Sequence, residues 1–186
     1  MISILHNGKE QNENNSKYSI IAGIVLVFIG ACSLSSFPIL DEGSYLWIAE
    51  RFSFSRPYDW PLPFPPFDEA FVFAHPPLLL AWVAVLQEIG LSGWFLKMIA
   101  GTPLWFLLGF SSYKLCVLYS AQPQKSFAIW LSLPIVLMAI SRTVMPDLMM
   151  CSFATTSMWL FLEGQKAGTH ADLPTTKLFF LSGLML

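Results

Sequence analysis

The chain has 186 residues, of which 55% are hydrophobic and only 12% charged, with a net charge of −2. A soluble domain carries about a quarter of its residues as charges, so this composition points to a membrane protein rather than to a soluble fold with a large core. The near-neutral, slightly acidic balance gives nothing that points to nucleic acid or an anionic membrane surface as a partner.

The first 17 residues are rich in Asn, Glu and Gln and read as a disordered cytoplasmic tail, residues 1–18. An apolar run follows, with a spanning helix expected over about Ser19–Phe37. It is too long for a signal-peptide core and lacks a small-x-small cleavage site, so it reads as a retained anchor. Asp41-Glu42 comes next. Asp41 is placed to cap a short amphipathic helix whose apolar side is Tyr45, Ile48, Ala49 and Phe52. Both acids have a purely structural reading, a cap and a first-turn charge at the positive end of a helix dipole.

Five prolines between Pro57 and Pro66 forbid a continuous helix and favour extended polyproline geometry. The aromatic residues among them suit a headgroup region. His75-Pro76-Pro77 then opens an apolar segment, Pro76–Ile89, interrupted by Gln87 and Glu88. Its core is about half the roughly 20 residues that a span requires, which favours an interfacial or re-entrant segment. Further spans are expected at about Trp94–Leu118, Phe127–Ile140 and Leu148–Glu163. A last one begins near Lys177 and stops at half length, so the chain reads as truncated at its C-terminus. Cys32, Cys116 and Cys151 are scattered through apolar runs without metal-type spacing and read as small buried hydrophobes.

Basic residues provide an independent constraint. If Pro76–Ile89 does not cross and the N-terminus is cytoplasmic, Lys9, Lys17, Lys114, Lys125, Lys166 and Lys177 fall inside. Arg51, Arg56, Lys97 and Arg142 then fall at the outer rim. The positive-inside rule favours this arrangement over the inverted one. Asp41, Glu42, His75, Arg142 and Asp147 consequently share the outer face. Asp147 lies in Arg142-Thr143-Val144-Met145-Pro146-Asp147, at the mouth of a span, and ionisable groups at membrane depth or its rim mark functional pathways by default. A helix start at Pro76 would turn its N–H dipoles toward an anion, with His75 as a further donor.

Three motifs in this order carry a resemblance: Asp41-Glu42-Gly43-Ser44-Tyr45, Phe73-Ala74-His75-Pro76-Pro77-Leu78-Leu79-Leu80-Ala81-Trp82, and Ser141-Arg142-Thr143-Val144-Met145-Pro146-Asp147. Together they resemble the N-terminal part of the polyprenyl-phosphate-sugar-dependent glycosyltransferases with the GT-C fold, related to protein O-mannosyltransferases and to the lipid A aminoarabinose transferase. The resemblance covers residues 19–186. It implies an all-α, polytopic membrane protein, with residues 19–186 forming the N-terminal portion of a GT-C helical module. Its outer loop, about 41–92, would bear juxtamembrane helices. It further implies a sugar donor on a polyprenyl phosphate and a protein, lipid or glycan acceptor hydroxyl. The setting would be a bacterial inner membrane with the site facing the periplasm.

Carried over residue by residue, the resemblance makes Asp41 the general base, with Asp147 shaping and tuning the same cavity. Glu42 and Tyr45 would contact substrate. His75 and Arg142 would face the leaving phosphate, and a divalent metal ion is a candidate cofactor. The lipid A branch has an acidic–basic pair where this chain has Ala74-His75, so its ligation pattern is not carried over. Members of the family are several hundred residues long, which makes this chain an incomplete and inactive fragment on that reading. The rival classes are a transporter subunit, whose ionisable residues would lie at mid-membrane, and a non-catalytic membrane assembly protein whose carboxylates only cap helices.

Overall fold

The computed structural model describes residues 2–34, 40–50, 77–141, 143–144 and 146–167. All regular structure among them is helical: α1 Ile2–Ser33, α2 Leu40–Ala49, α3 Pro77–Glu88, α4 Gly93–Tyr119, α5 Pro123–Leu131, α6 Pro134–Ser141 and α7 Pro146–Ala167. Two stretches are long and apolar enough to cross a membrane, Asn14–Ser33 within α1 and the whole of α4, 20 and 27 residues. The helix α1 starts at Ile2, so the polar stretch expected as a disordered tail continues the apolar helix backwards. Helix growth adds one hydrogen bond per residue once a nucleus exists, and Lys9, Glu10, Gln11 and Glu13 are good helix formers.

The bundle is organised around α4. Trp105, the largest fully buried side chain, sits at its middle with Ala100, Leu104 and Leu108 around it. Small residues let α1 approach closely. A Cβ added at Gly109 would lie 2.6 Å from the Ala22 carbonyl oxygen, and Gly30 lies against the Trp105 ring. In lipid, where apolar surface gives no drive to associate, such close backbone approach is what holds helices together. Gly109→Ala is therefore expected to lower the unfolding temperature of the detergent-solubilised protein, since the obstructing atom is backbone and overpacking costs about 1–3 kcal/mol. Gly43→Ala, which would meet nothing within 4 Å, serves as the neutral comparison. Equal melting of the two variants would refute close α1–α4 packing.

Contacts along α4 give the helix directions. Ala22 and Leu26 meet Gly109, and Tyr18 lies 6.5 Å from Tyr113 between ring centroids, so α1 runs antiparallel to α4. The Ser152 hydroxyl donates to the Leu104 carbonyl at 3.0 Å and Trp159 meets Phe110 at 5.4 Å, so α7 runs parallel to it. Buried hydroxyls of Ser152, Thr156 and Ser157 line the α4 side of α7. They also make α7 less apolar than a greasy span.

The expected single span over Phe127–Ile140 is broken. Its two pieces, α5 and α6, are nine and eight residues long, with Ser132 and Leu133 between them. Pro134 explains the break: it has no N–H to bond the Trp130 carbonyl, its ring would clash there, and it drives Leu133 out of the α region. Pro103, by contrast, sits inside α4, where Thr102 Oγ1 donates to the Met98 carbonyl at 2.7 Å.

Candidate functional site

The end of the bundle where α1 finishes is also where α4 and α7 begin, as their directions require. Asp147 lies in the first turn of α7 and is exposed. Ser152, five residues on, is level with Leu104, which puts Asp147 about one and a half turns inward from the start of α4. The chain around it is firmly seated. Thr143 and Val144 are fully buried, and a Cβ added at Gly101 would meet Thr143 Cγ2 at 2.6 Å. Trp105 Nε1 donates to the Ile140 carbonyl at 3.0 Å, closing α6 just before this turn.

The helix α3 is the short segment on which the expected topology depends. It has 12 residues, about 18 Å at 1.5 Å per residue, too short for a hydrocarbon core of about 30 Å. It turns back through Gly90, whose φ is +88°, and leads straight into α4. Trp82 Nε1 donates to the Ala100 carbonyl at 3.3 Å, pinning the middle of α3 beside the second turn of α4. The segment thus lies along the first half of α4 and delivers the chain to the same end at which α1 left it.

The acidic pair falls on α2, the helix expected from Asp41. Its first turn contains Asp41 and Glu42, whose side chains lie outside the described residues. Its inner side is Tyr45, Ile48 and Ala49, at most 5% exposed. Tyr45, a candidate substrate contact, is therefore part of the packed face in this structure, because it shares the i, i+3, i+4 stripe with Ile48 and Ala49. Gln87 Nε2 of α3 donates to the Leu46 carbonyl at 3.3 Å, which fixes α2 to the α3–α4 turn. His75 and Arg142 lie outside the described residues.

A groove of about 410 Å³ opens at this end between Leu46, Glu50, Gln87, Leu91, Ser92 and Leu96. Glu50 and Gln87 supply acceptor groups on one wall. Ser92, Gly93 and Leu96 at the start of α4 form the other wall, and Ser92 makes no side-chain cap there. Lys97 stands one turn into α4 and is 4% exposed. Neither Glu50 nor Lys97 was singled out among the sequence candidates. The signal for Lys97 was its position, one turn inside an apolar helix that has no other charge before Lys114.

Glu50, Lys97 and Asp147 thus lie toward one end of the bundle, where α2 is also held. The structure does not bring α2 against α7: α2 packs on α3, and α7 on α4 and α6. Among the described residues no three His, Cys, Asp or Glu side chains converge as a metal site. Asp41, Glu42 and His75, the residues the metal expectation rests on, are not among the side chains described. No family model, curated protein or solved structure matches the chain.

Proposed function

We propose that the chain is the N-terminal membrane module of a glycosyltransferase that moves a sugar from a polyprenyl phosphate to an acceptor hydroxyl, with inversion, at the outer face of a membrane. The observation that carries this reading is the run of the helices. The helix α1 ends, and α4 and α7 begin, at one end of the bundle, with α3 turned back beside α4 (the Trp82–Ala100 bond). With α1 and α4 crossing a membrane, this run of helices supports a reading in which the Asp41 turn and the Asp147 turn share one water-accessible side, within reach of a lipid-borne donor entering between helices.

The roles are those that the resemblance implies. Asp41 draws the proton from the acceptor hydroxyl, a task for a single positioned carboxylate. Glu42 orients the acceptor or helps hold a divalent ion. The departing phosphate gains negative charge, which cationic groups and helix N-termini stabilise; His75 and Arg142 are the candidates that the resemblance implies, and the buried Lys97 is a further one. Asp147 tunes the potential of the same cavity. In a bacterium the site faces the periplasm.

The topology is tested with single cysteines in a background lacking Cys32, Cys116 and Cys151. Cysteines at Gly43 and Asp147 should react with a membrane-impermeant maleimide added to intact cells or spheroplasts. One at Gln124, exposed at the start of α5, should react only after permeabilisation. The chemistry is tested by giving membranes that contain the full-length protein a polyprenyl-phosphate sugar carrying a radiolabel. Opposite labelling of positions 43 and 147, or no transfer to any acceptor fraction, would overturn the reading.

A further inference from the structure

Pro103, Phe106, Phe110 and Lys114 follow one another at helical spacing along a single face of α4. On one side of this stripe stands α1: a Cβ added at Gly23 would meet Phe106 Cδ2 at 2.7 Å. On the other stands α7, whose Trp159 ring meets that of Phe110 edge-on, 5.4 Å between centroids. Both helices pack on α4, and α6 bridges them on the Trp105 side. The stripe is therefore the floor of a furrow between α1 and α7. Phe106 and Phe110 stack along it at 6.0 Å; both rings are half-buried, and Pro103 is exposed.

Lys114 closes the furrow at the end where α4 stops. Its ammonium lies 5.5 Å from the Phe110 centroid and 5.9 Å from that of Trp159. Among the described residues it makes no hydrogen bond or ion pair. Ring faces attract the charge but leave its three N–H donors without an oxygen. Glu163, the acid of α7 at this level, accepts instead from Trp159 Nε1 at 3.3 Å. Three further lysines gather here. Tyr18 and Phe127 both lie against Tyr113, which sets their neighbours Lys17 and Lys125 near the level of Lys114. Lys166 follows Trp159 by seven residues on α7. All three are exposed.

We infer that this furrow seats an anionic phospholipid of the inner leaflet, with its phosphate on Lys114 and an acyl chain along Phe110, Phe106 and Pro103. The inference rests on α4 crossing the membrane with its C-terminal end inside, as proposed above, and not on the chemistry proposed with it. The dimensions agree. Lys114 stands eight residues beyond Phe106, the midpoint of α4, about 12 Å at the helical rise. That is just within a hydrocarbon half-thickness of about 15 Å. From Pro103 to Lys114 the stripe runs about 16 Å, the depth of one leaflet. A cation at this depth is costly without an anion, and phosphate oxygens accept the N–H donors that the rings leave over. Lys17, Lys125 and Lys166 add the longer-range attraction that draws anionic headgroups to basic pockets between helices.

The full-length protein in mild detergent is offered dioleoyl phosphatidylglycerol or dioleoyl phosphatidylcholine, and retained lipid is counted by native mass spectrometry. Wild type should hold one phosphatidylglycerol at least about fivefold more tightly than phosphatidylcholine, the factor one lysine contributes toward an anionic headgroup. Lys114→Gln should lose about that factor, Lys114→Arg should keep it, and Lys125→Gln should lose much less. Equal retention of the two lipids by wild type overturns the inference without recourse to any variant. Equal losses in Lys114→Gln and Lys125→Gln overturn it in favour of diffuse attraction to the whole basic end. Release of the lipid by inorganic phosphate at constant ionic strength overturns it in favour of a soluble anion. Cysteine labelling reports on the sidedness of the bundle and radiolabel transfer on the chemistry, so failure here is distinguishable from failure of either.

Discussion

Asp41→Asn is expected to reduce sugar transfer by the full-length protein at least about 100-fold, the low end of what a positioned general base contributes. The substitution is chosen because it changes little else. Asp41 lies in the first turn of α2 and not at its cap, so the substitution costs only the charge–dipole attraction there, about 0.3–1 kcal/mol. The packed stripe of Tyr45, Ile48 and Ala49 and the Gln87–Leu46 bond continue to hold the helix on α3. Expression, membrane insertion and cysteine labelling at Gly43 should therefore match wild type while transfer from a radiolabelled donor collapses. If more than half of the activity survives, Asp41 is a first-turn acid only and the general base lies elsewhere.

Trp105→Ala is expected to cost about 3–5 kcal/mol of folding stability, the range for emptying a fully buried Trp site. The indole is completely buried at the centre of α4, touches Gly30 of α1 and Gly101 of its own helix, and donates to the last turn of α6. Its removal leaves a cavity shared by three helices and deprives the Ile140 carbonyl of its partner. Trp105→Phe retains much of the volume and loses the N–H, so its cost should be nearer 1 kcal/mol. Unfolding followed in mixed detergent micelles would separate the two variants. Equal loss in both would show that the hydrogen bond, not the packed volume, secures α6.

Helix identity was largely legible along the chain, for reasons that are local. Long uncharged runs made α1 and α4 visible, and Asp41 followed by Tyr45, Ile48 and Ala49 announced α2 before any contact was known. The ten-residue reach of the Pro76 segment led to an expectation that it would not cross; α3 is 12 residues long and packs beside the start of α4. The break at Ser132–Leu133 was equally local in origin, with Pro134 in plain view, yet the uninterrupted apolar character of Phe127–Ile140 outweighed it. Hydropathy counts side chains and does not register a missing N–H. The N-terminal turns of α1 escaped notice for the opposite reason: their residues are polar, and their helicity derives from the apolar helix they extend.

The site was legible in its residue types and not in its assembly. Acids at the mouths of apolar segments stood out as carboxylates where lipid begins. That Lys97 is buried, that Tyr45 faces inward, and that Glu50 and Gln87 flank a groove all depend on which side of a helix meets a neighbour.

Composition and the spacing of apolar runs were enough to anticipate an all-helical chain with helices long and apolar enough to cross a membrane, because the length and polarity of a segment are properties it carries alone. Which ends of the helices share a face emerged from packing. That depends on contacts between residues far apart in the chain, such as Gly109 with Ala22 and Ser152 with Leu104, and no local pattern encodes a partner's distance.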